Sequence, residues 1–328
     1  MVWLEFLMSA VLITLAAHQL AKFGDIIAIR TRLGGLFVGT LLIAGATSLP
    51  EVLTTISALR QGMPELAAGN LLGSNMFNML MLAILDMAHY RQRILRRSAM
   101  RHALTGSLTV LMIALVVFFI MADLPAQIGW VGLDSLIVMG AYVLAMALIQ
   151  GQTRPLAAAV PEELPAGLPS LRRSLLGFGL AALALVVITP WMVSASGRIA
   201  EITGLGATFV GATLVAIVTS LPEMVATFAA VRIGADDMAI GNLFGSNMFN
   251  MFALGLTDVF FLQGRFLGVI GAEFLLVGML GLIMTILGLI GNLARLERRV
   301  FFIELDALAL LLVYFGGLWL LYSRGVTP

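Results

Sequence analysis

The chain has 328 residues, of which 60% are hydrophobic and 11% charged, and its mean hydropathy is +1.04. A soluble domain carries about 25% charged residues, so this composition excludes an ordinary water-soluble globule and points to a polytopic membrane protein. The net charge of +1, without a basic block interleaved with aromatics, leaves no footprint for nucleic acid, and the absence of cysteine removes disulfides and thiolate metal sites.

Ten apolar runs follow one another along the chain, at about 3–20, 34–59, 65–88, 103–122, 129–150, 174–195, 206–231, 237–261, 267–291 and 303–322. The first begins MVWLEF, without the basic start of a signal peptide, and is expected to be a retained span. Between the fifth and sixth, residues 151–173 hold Pro155, Pro161, Pro165 and Pro169 and a charge cluster. This stretch cannot continue a helix and is too short for a folded regulatory domain.

Shifting the first five runs by 172 residues lands each close to one of the last five. The expected organisation is therefore an N-terminal five-span repeat at 1–150, a cytoplasmic linker at 151–173 and a C-terminal five-span repeat at 174–328. An odd number of spans per half makes the second half enter the bilayer from the opposite side, so the repeats are inverted. With the N-terminus outside, 15 of the 19 Lys and Arg residues fall in inside segments and only Arg60, Arg198, Arg265 and Arg324 outside. That asymmetry predicts both termini outside, extracellular or periplasmic, in a multi-pass plasma (inner) membrane protein.

The strongest signal is a 46-residue segment that occurs twice, at 35–80 and at 207–252, identical at 25 of 46 positions without a gap. The identities are mostly polar or helix-breaking residues, which a lipid-facing helix does not need. Each copy holds Thr-Ser-Leu-Pro-Glu and then Gly-Asn-Leu-x-Gly-Ser-Asn-Met-Phe-Asn.

Glu51 and Glu223 fall inside the second and seventh runs, where a carboxylate costs about 2.5–3.5 kcal/mol even on lenient insertion scales. The sequence places no Lys or Arg within eight residues of either, which disfavours a local salt bridge and favours a bound cation or proton over a protonated structural Glu. Pro50 and Pro222 remove an amide donor and clash with the carbonyls of Ala46 and Val218, so each helix is expected to open just before its glutamate. Opened helix frees carbonyl oxygens, and Thr47, Ser48, Thr219 and Ser220 add hydroxyls on the same turn. Taken singly, these residues also fit an ordinary kink or hydroxyls bonded back to their own helix.

In the second motif Gly69 and Gly73, like Gly241 and Gly245, form a G-x-x-x-G face for close helix approach. Ser74 and Asn78 lie four apart on one helical face, as do Ser246 and Asn250, and supply neutral oxygens. Asn70, Asn75, Asn242 and Asn247 can bond between helices or cap, a role that fits Asn75 and Asn247 best. Ca²⁺ takes about 6–8 oxygen ligands, and two carboxylates neutralise one such ion. Neutral amides also suit Na⁺, while the lack of His or Cys in the set disfavours Zn, Cu and Fe.

These paired segments resemble the α-repeats of the calcium:cation antiporter superfamily, in particular its prokaryotic sodium/calcium exchanger branch. The resemblance covers both repeats and, through the ten-span pattern, the full chain. It implies an all-α membrane protein of two inverted five-helix repeats that exchanges Na⁺, or H⁺ in another branch, for Ca²⁺ by alternating access. It also implies that Glu51 and Glu223 are the central carboxylates and that Thr47, Ser48, Thr219, Ser220, Ser74, Ser246 and Asn78 are side-chain ligands. Ala44 and Ala216 match positions that offer backbone carbonyls. Position 250 departs: the well-known prokaryotic relatives carry aspartate there, so this site has one acid fewer and is expected to hold fewer cationic charges at once.

Asp86 with Asp258, and Asp134 with Asp306, also repeat at the 172-residue offset. Asp86 and Asp258 fit either ion pathways at opposite faces or plain helix-end acids. Glu273 has no acidic counterpart and no assigned role. Ca²⁺/H⁺ exchange through protonation of the two glutamates is the alternative coupling. A cation channel is the rival of a different class, against which the inverted repeat stands. An intramembrane enzyme has little to draw on, because His18, His89 and His102 all lie outside the motifs and no H-E-x-x-H occurs. The expected partners are the lipid bilayer and the ions themselves, with no cofactor and no obligate protein partner.

Overall fold

The computed structural model describes residues 1–31, 45, 47–88, 99–153, 168–232, 234–271, 273–294, 299–300 and 303–325. Nearly all of them are helical. Helix α1 is Val2–Thr31, α2 Leu49–Arg60, α3 Pro64–Ala88, α4 Ala99–Ala122, α5 Leu133–Thr153 and α6 Leu171–Thr203. In the second half α7 is Ala207–Thr219, α8 Leu221–Arg232, α9 Asp236–Phe260, α10 Phe266–Val269, α11 Glu273–Ala294 and α12 Leu305–Gly325. Among the described residues seven helices are long and apolar enough to cross a bilayer, and the pair α7–α8, bent by 44° at a break, makes an eighth. The protein is thus an integral membrane protein. Helix α9 is as long as α3, 25 residues, but Asp236, Asp237 and Asp258 lower its apolar content.

Helices α1 and α6 are longer than the apolar runs that announced them. At 1.5 Å per residue their 30 and 33 residues reach about 45–50 Å, against roughly 30 Å of hydrocarbon, so each must tilt or emerge. The two pack along each other. Arg198 near the end of α6 pairs with Glu5 at the start of α1, and Arg30 near the end of α1 donates to the carbonyls of Leu168 (2.6 Å) and Pro169 just before α6. The pair is therefore antiparallel. Their outer faces are apolar and exposed, through Leu4, Leu7 and Val11 on one and Leu176, Leu180 and Leu183 on the other, which suits lipid contact.

Helix α3 is the axis of the molecule. Every residue from Leu66 to Ala83 is buried, against α2, α7, α9, α11 and α12. Its first G-x-x-x-G face is used for close approach. A Cβ on Gly73 would lie 2.4 Å from the Ala212 backbone, and one on Gly69 2.9 Å from the Thr208 carbonyl. On the second G-x-x-x-G face a Cβ on Gly241 would lie 3.1 Å from His102 Cε1; residues 36–40, the 172-residue counterparts of Thr208 to Ala212, lie outside the described residues.

The breaks expected ahead of Glu51 and Glu223 are present. Helix α2 begins at Leu49 with Pro50 in its first turn, and α7 ends at Thr219 before Pro222. The pyrrolidine nitrogen cannot donate to the carbonyl four residues back, so the chain restarts as a new helix. One feature was not foreseen: α7 widens into a π turn at Gly211–Val215, opposite α3. The fifth and tenth runs also begin later than expected. Residues 127–132 form a small antiparallel hairpin, Gln127 opposite Gly132, and Arg299 pairs with Glu304 in the same way 172 residues on. Gly129 turns the first hairpin at φ +66°, a conformation that favours glycine.

The close α3–α7 contact predicts that Gly73→Ala costs about 1–3 kcal/mol, because the backbone of α7 must move. Gly140→Ala, where a Cβ would meet nothing within 4 Å, should be neutral or add up to about 1 kcal/mol of helix propensity. Thermal unfolding of the two purified variants in detergent checks both signs.

Candidate functional site

Because α2 and α8 start afresh at the breaks, Glu51 and Glu223 both sit in a first helical turn. There the unpaired amides and the helix dipole favour negative charge. Both side chains are fully buried, and the two carboxylates repel one another electrostatically. Neither is neutralised by a Lys or Arg among the described salt bridges.

What meets them comes from the other half of the chain. Ser48 Oγ donates to Glu223 Oε1 at 3.0 Å, and Ser220 Oγ donates to Glu51 Oε1 at 3.3 Å. Ser246 Oγ lies 3.2 Å from Ser48 Oγ. Ser48 holds the N-cap position of α2 yet makes no cap bond, because its hydroxyl is spent across the halves. Residue numbers rise on one side of these contacts as they fall on the other, so the two Pro-Glu segments cross antiparallel.

Asparagines hold the second layer. Asn70 Nδ2 donates to the Glu51 carbonyl at 3.1 Å and to Thr55 Oγ1 at 3.2 Å. Asn242 repeats this on the Glu223 carbonyl, at 3.4 Å, and Thr227 Oγ1, at 3.0 Å. Thr219 Oγ1 donates to Asn70 Oδ1 at 2.9 Å. Between α3 and α9, Asn78 Nδ2 donates to Asn247 Oδ1 at 2.8 Å, Asn250 Nδ2 to Asn75 Oδ1 at 3.0 Å, and Asn247 Nδ2 to the Asn75 carbonyl at 3.2 Å. The interhelical role expected for Asn75 and Asn247 is what the geometry shows, and Asn70 and Asn242 share it.

Five oxygens of the expected set are buried without a hydrogen-bond partner among the described residues: Glu51 Oε2, Glu223 Oε2, Asn78 Oδ1, Asn250 Oδ1 and Ser74 Oγ. Buried oxygens left this way are costly unless something electropositive meets them, and a hard cation does so. Glu51, Glu223, Ser48, Ser220 and Ser246 are brought together by direct contacts, and Asn78 and Asn250 are joined through the asparagine network. Thr47 is buried beside Ser48. Ala216 is buried, and its carbonyl accepts from Ser220 N at 3.1 Å; the single Thr219 hydroxyl proton, 3.3 Å from that carbonyl, lies closer to Asn70 Oδ1, which leaves the carbonyl one lone pair. Ala44 lies outside the described residues.

Sequence reasoning missed Thr55 and Thr227. The signal was present, since each threonine follows its glutamate by four residues and the pair repeats at the 172-residue offset. Asp258 takes the plain helix-end role: it is fully buried and accepts from the backbone amides of Gly132 (2.6 Å) and Phe266. Asp134 accepts from Arg265 at 3.2 Å. Asp86 lies with Glu304 and Asp306, one carboxylate oxygen of each within 4.8 Å of the others.

A bundle of bilayer-length helices around two buried carboxylates and a shell of neutral oxygens defines an ion-handling membrane protein. The chain belongs to the sodium/calcium exchanger protein family, whose model matches residues 1–150 and 173–323. It is similar to the inner membrane protein YrbG of Escherichia coli (strain K12), 28% identical over 266 residues that cover 75% of each chain. Among solved structures it shares its fold with the H⁺/Ca²⁺ exchanger CAX, at TM-score 0.71 and 12% identity over 99% of this chain and 85% of that one. It also shares it with the sodium-calcium exchanger NCX_Mj, at TM-score 0.58 and 21% identity over 97% of this chain and 99% of that one.

Replacing Asn70 by Leu removes the buried amide that serves the Glu51 carbonyl, Thr55 Oγ1 and the Thr219 hydroxyl. The expected loss of stability is about 1–3 kcal/mol, from three buried hydrogen bonds lost at groups that keep other partners in part. Gln61→Leu, which removes bonds to Ser57 and to the Pro190 carbonyl at an exposed position, should change the unfolding midpoint little. Equal midpoints for the two variants would contradict the buried network.

Proposed function

We propose that this chain is a secondary active cation antiporter that exchanges Na⁺ for Ca²⁺ by alternating access at one site built from both halves. The observation that carries the reading is the reciprocal pair of contacts, Ser48 to Glu223 and Ser220 to Glu51, around two buried carboxylates whose Oε2 atoms have no hydrogen-bond partner among the described residues. Two carboxylates balance one Ca²⁺, and the hydroxyl and amide oxygens of Ser48, Ser74, Asn78, Ser220, Ser246 and Asn250 fill a shell that suits Na⁺ as well. Thr47, Thr219, Ala44 and Ala216 complete the proposed ligand set.

In this reading the chain has ten spans, as two inverted repeats at 1–150 and 174–328 joined by a cytoplasmic linker at 151–173. Both termini lie outside an inner membrane. The antiparallel meeting of α1 with α6, and of each Pro-Glu segment with its counterpart, supports the inversion. Inversion places a single site at the interface, so tilting one group of helices against the other exposes it to one side at a time. The long outer pair α1–α6 is suited to slide over the polar centre. A permanently open cation channel fits less well, because Glu51, Glu223 and every residue of α3 from Leu66 to Ala83 are buried.

Ca²⁺/H⁺ exchange is the second reading. Two protons on Glu51 and Glu223 neutralise the same charge as one Ca²⁺, and with asparagine at both 78 and 250 the proposed site holds no third acid.

Proteoliposomes loaded with Na⁺ and diluted into Na⁺-free medium with ⁴⁵Ca²⁺ test the reading. Uptake that requires the outward Na⁺ gradient supports Na⁺/Ca²⁺ exchange. Uptake driven only by an acid interior selects the proton reading. Glu51→Gln should abolish either flux while leaving a folded protein, and wild-type flux in that variant would sink the site.

A further inference from the structure

The asparagines shared by α3 and α9 are alike in sequence but unlike in what they can do. Asn247 Nδ2 donates to the backbone carbonyl of Asn75 at 3.2 Å. A carbonyl only accepts, so this bond fixes which way round the Asn247 amide sits. Its Oδ1 is thereby aimed at Asn78, which must offer Nδ2, at 2.8 Å. The Asn78 amide is locked in turn, with Oδ1 on its other side, buried and without a partner among the described residues.

The other pair has no such anchor among the described residues. Asn250 Nδ2 donates to Asn75 Oδ1 at 3.0 Å, but Asn75 Nδ2 is buried with no hydrogen-bond partner among them. Turning both amides over keeps a hydrogen bond between them, now with Asn75 as donor. No carbonyl is left facing an oxygen.

We propose that Asn75 and Asn247 are positioning residues that act unequally: Asn247 locks the position-78 amide with its oxygen toward the ion, whereas Asn75 can turn over and serve either an amide or a carboxylate at position 250. This rests on the reading of Asn78 and Asn250 as ion contacts. Position 250 then becomes the place where the charge of the site can change without breaking the network. An acid at 250 accepts from Asn75 Nδ2. An acid at 78 faces Asn247 Oδ1, and turning Asn247 to meet it puts that oxygen against the Asn75 carbonyl, two acceptors in a buried place.

Asn78→Asp and Asn250→Asp add the same charge beside the same two glutamates, so their difference isolates the amides. The experiment compares these variants, and Asn250→Asp combined with Asn75→Leu, by thermal unfolding in detergent and by the Ca²⁺ dependence of uptake into proteoliposomes. The expected result is that N250D unfolds near the wild-type midpoint and half-saturates at a Ca²⁺ concentration about fivefold lower. N78D should unfold well below N250D and lose about tenfold in maximal uptake. Adding N75L to N250D should abolish the fivefold gain, a change in half-saturation that a purely structural role for Asn75 does not produce. If N78D fails to fold while N250D folds, the unequal lock stands. If both fail, if the two match in midpoint and half-saturation, or if N75L leaves the N250D gain intact, the proposal is overturned. Should the wild-type chain carry no Ca²⁺ under any gradient, the antiport reading fails, while the unfolding comparison still decides the lock.

Discussion

Two carboxylates buried within a few side chains of each other, with no Lys or Arg paired to them among the described salt bridges, are the constraint around which the rest of this molecule is built. Moving one such charge out of water is expensive, and a second beside it adds repulsion. The chain meets that cost with local devices. It breaks a helix at a proline so that each glutamate lies at a helix start, where the dipole favours an anion. It brings a serine hydroxyl from the opposite half to one oxygen of each carboxylate. It adds asparagine amides as donors to the backbone carbonyls of both glutamates. None of these devices supplies positive charge. What remains is a demand for a cation or protons, and that demand is the physical basis of the antiport reading.

The same arrangement explains why the halves depend on each other. Each carboxylate is solvated by the other half, so neither half holds a complete site. The glycines of α3 let α7 approach to backbone contact, and the asparagines tie α3 to α9. Around this polar centre the long α1–α6 pair shows an apolar face outward, tethered end to end by Arg198–Glu5 and by Arg30 on the carbonyls before α6. The inner helices carry polarity and the outer ones carry the lipid contact, the reverse of a soluble fold.

Much of this was legible in the sequence because membranes punish polar residues. A Thr-Ser-Leu-Pro-Glu string inside an apolar run has few explanations, and its repetition at a fixed offset leaves fewer. The helix breaks followed from Pro50 and Pro222 by sterics alone, and the placement of Ser74 and Asn78 on one face of α3, and of Ser246 and Asn250 on one face of α9, followed from helical spacing. Less visible were features set by tertiary contact. The π turn at Gly211–Val215 faces α3 and has no local signature. The hairpin at 127–132 and the strand Ile303–Glu304, paired with Arg299–Val300, stand where the fifth and tenth apolar runs were expected to begin. The role of Asp258 as an acceptor for the amides of Gly132 and Phe266 depends on a loop 126 residues away. The inequality of Asn75 and Asn247 was invisible for a stronger reason: the two motifs are identical there, and only a main-chain carbonyl in three dimensions tells them apart.

The claim that one cation site is shared by both halves is tested most directly by equilibrium Ca²⁺ binding to the purified protein in detergent. Wild type, Glu51→Gln and Glu223→Gln would be titrated under Na⁺-free conditions. The account predicts a single Ca²⁺ per wild-type chain and loss of high-affinity binding in either variant alone, because each carboxylate contributes to the same ion. Two independent sites per chain, with each variant keeping one of them, would contradict it.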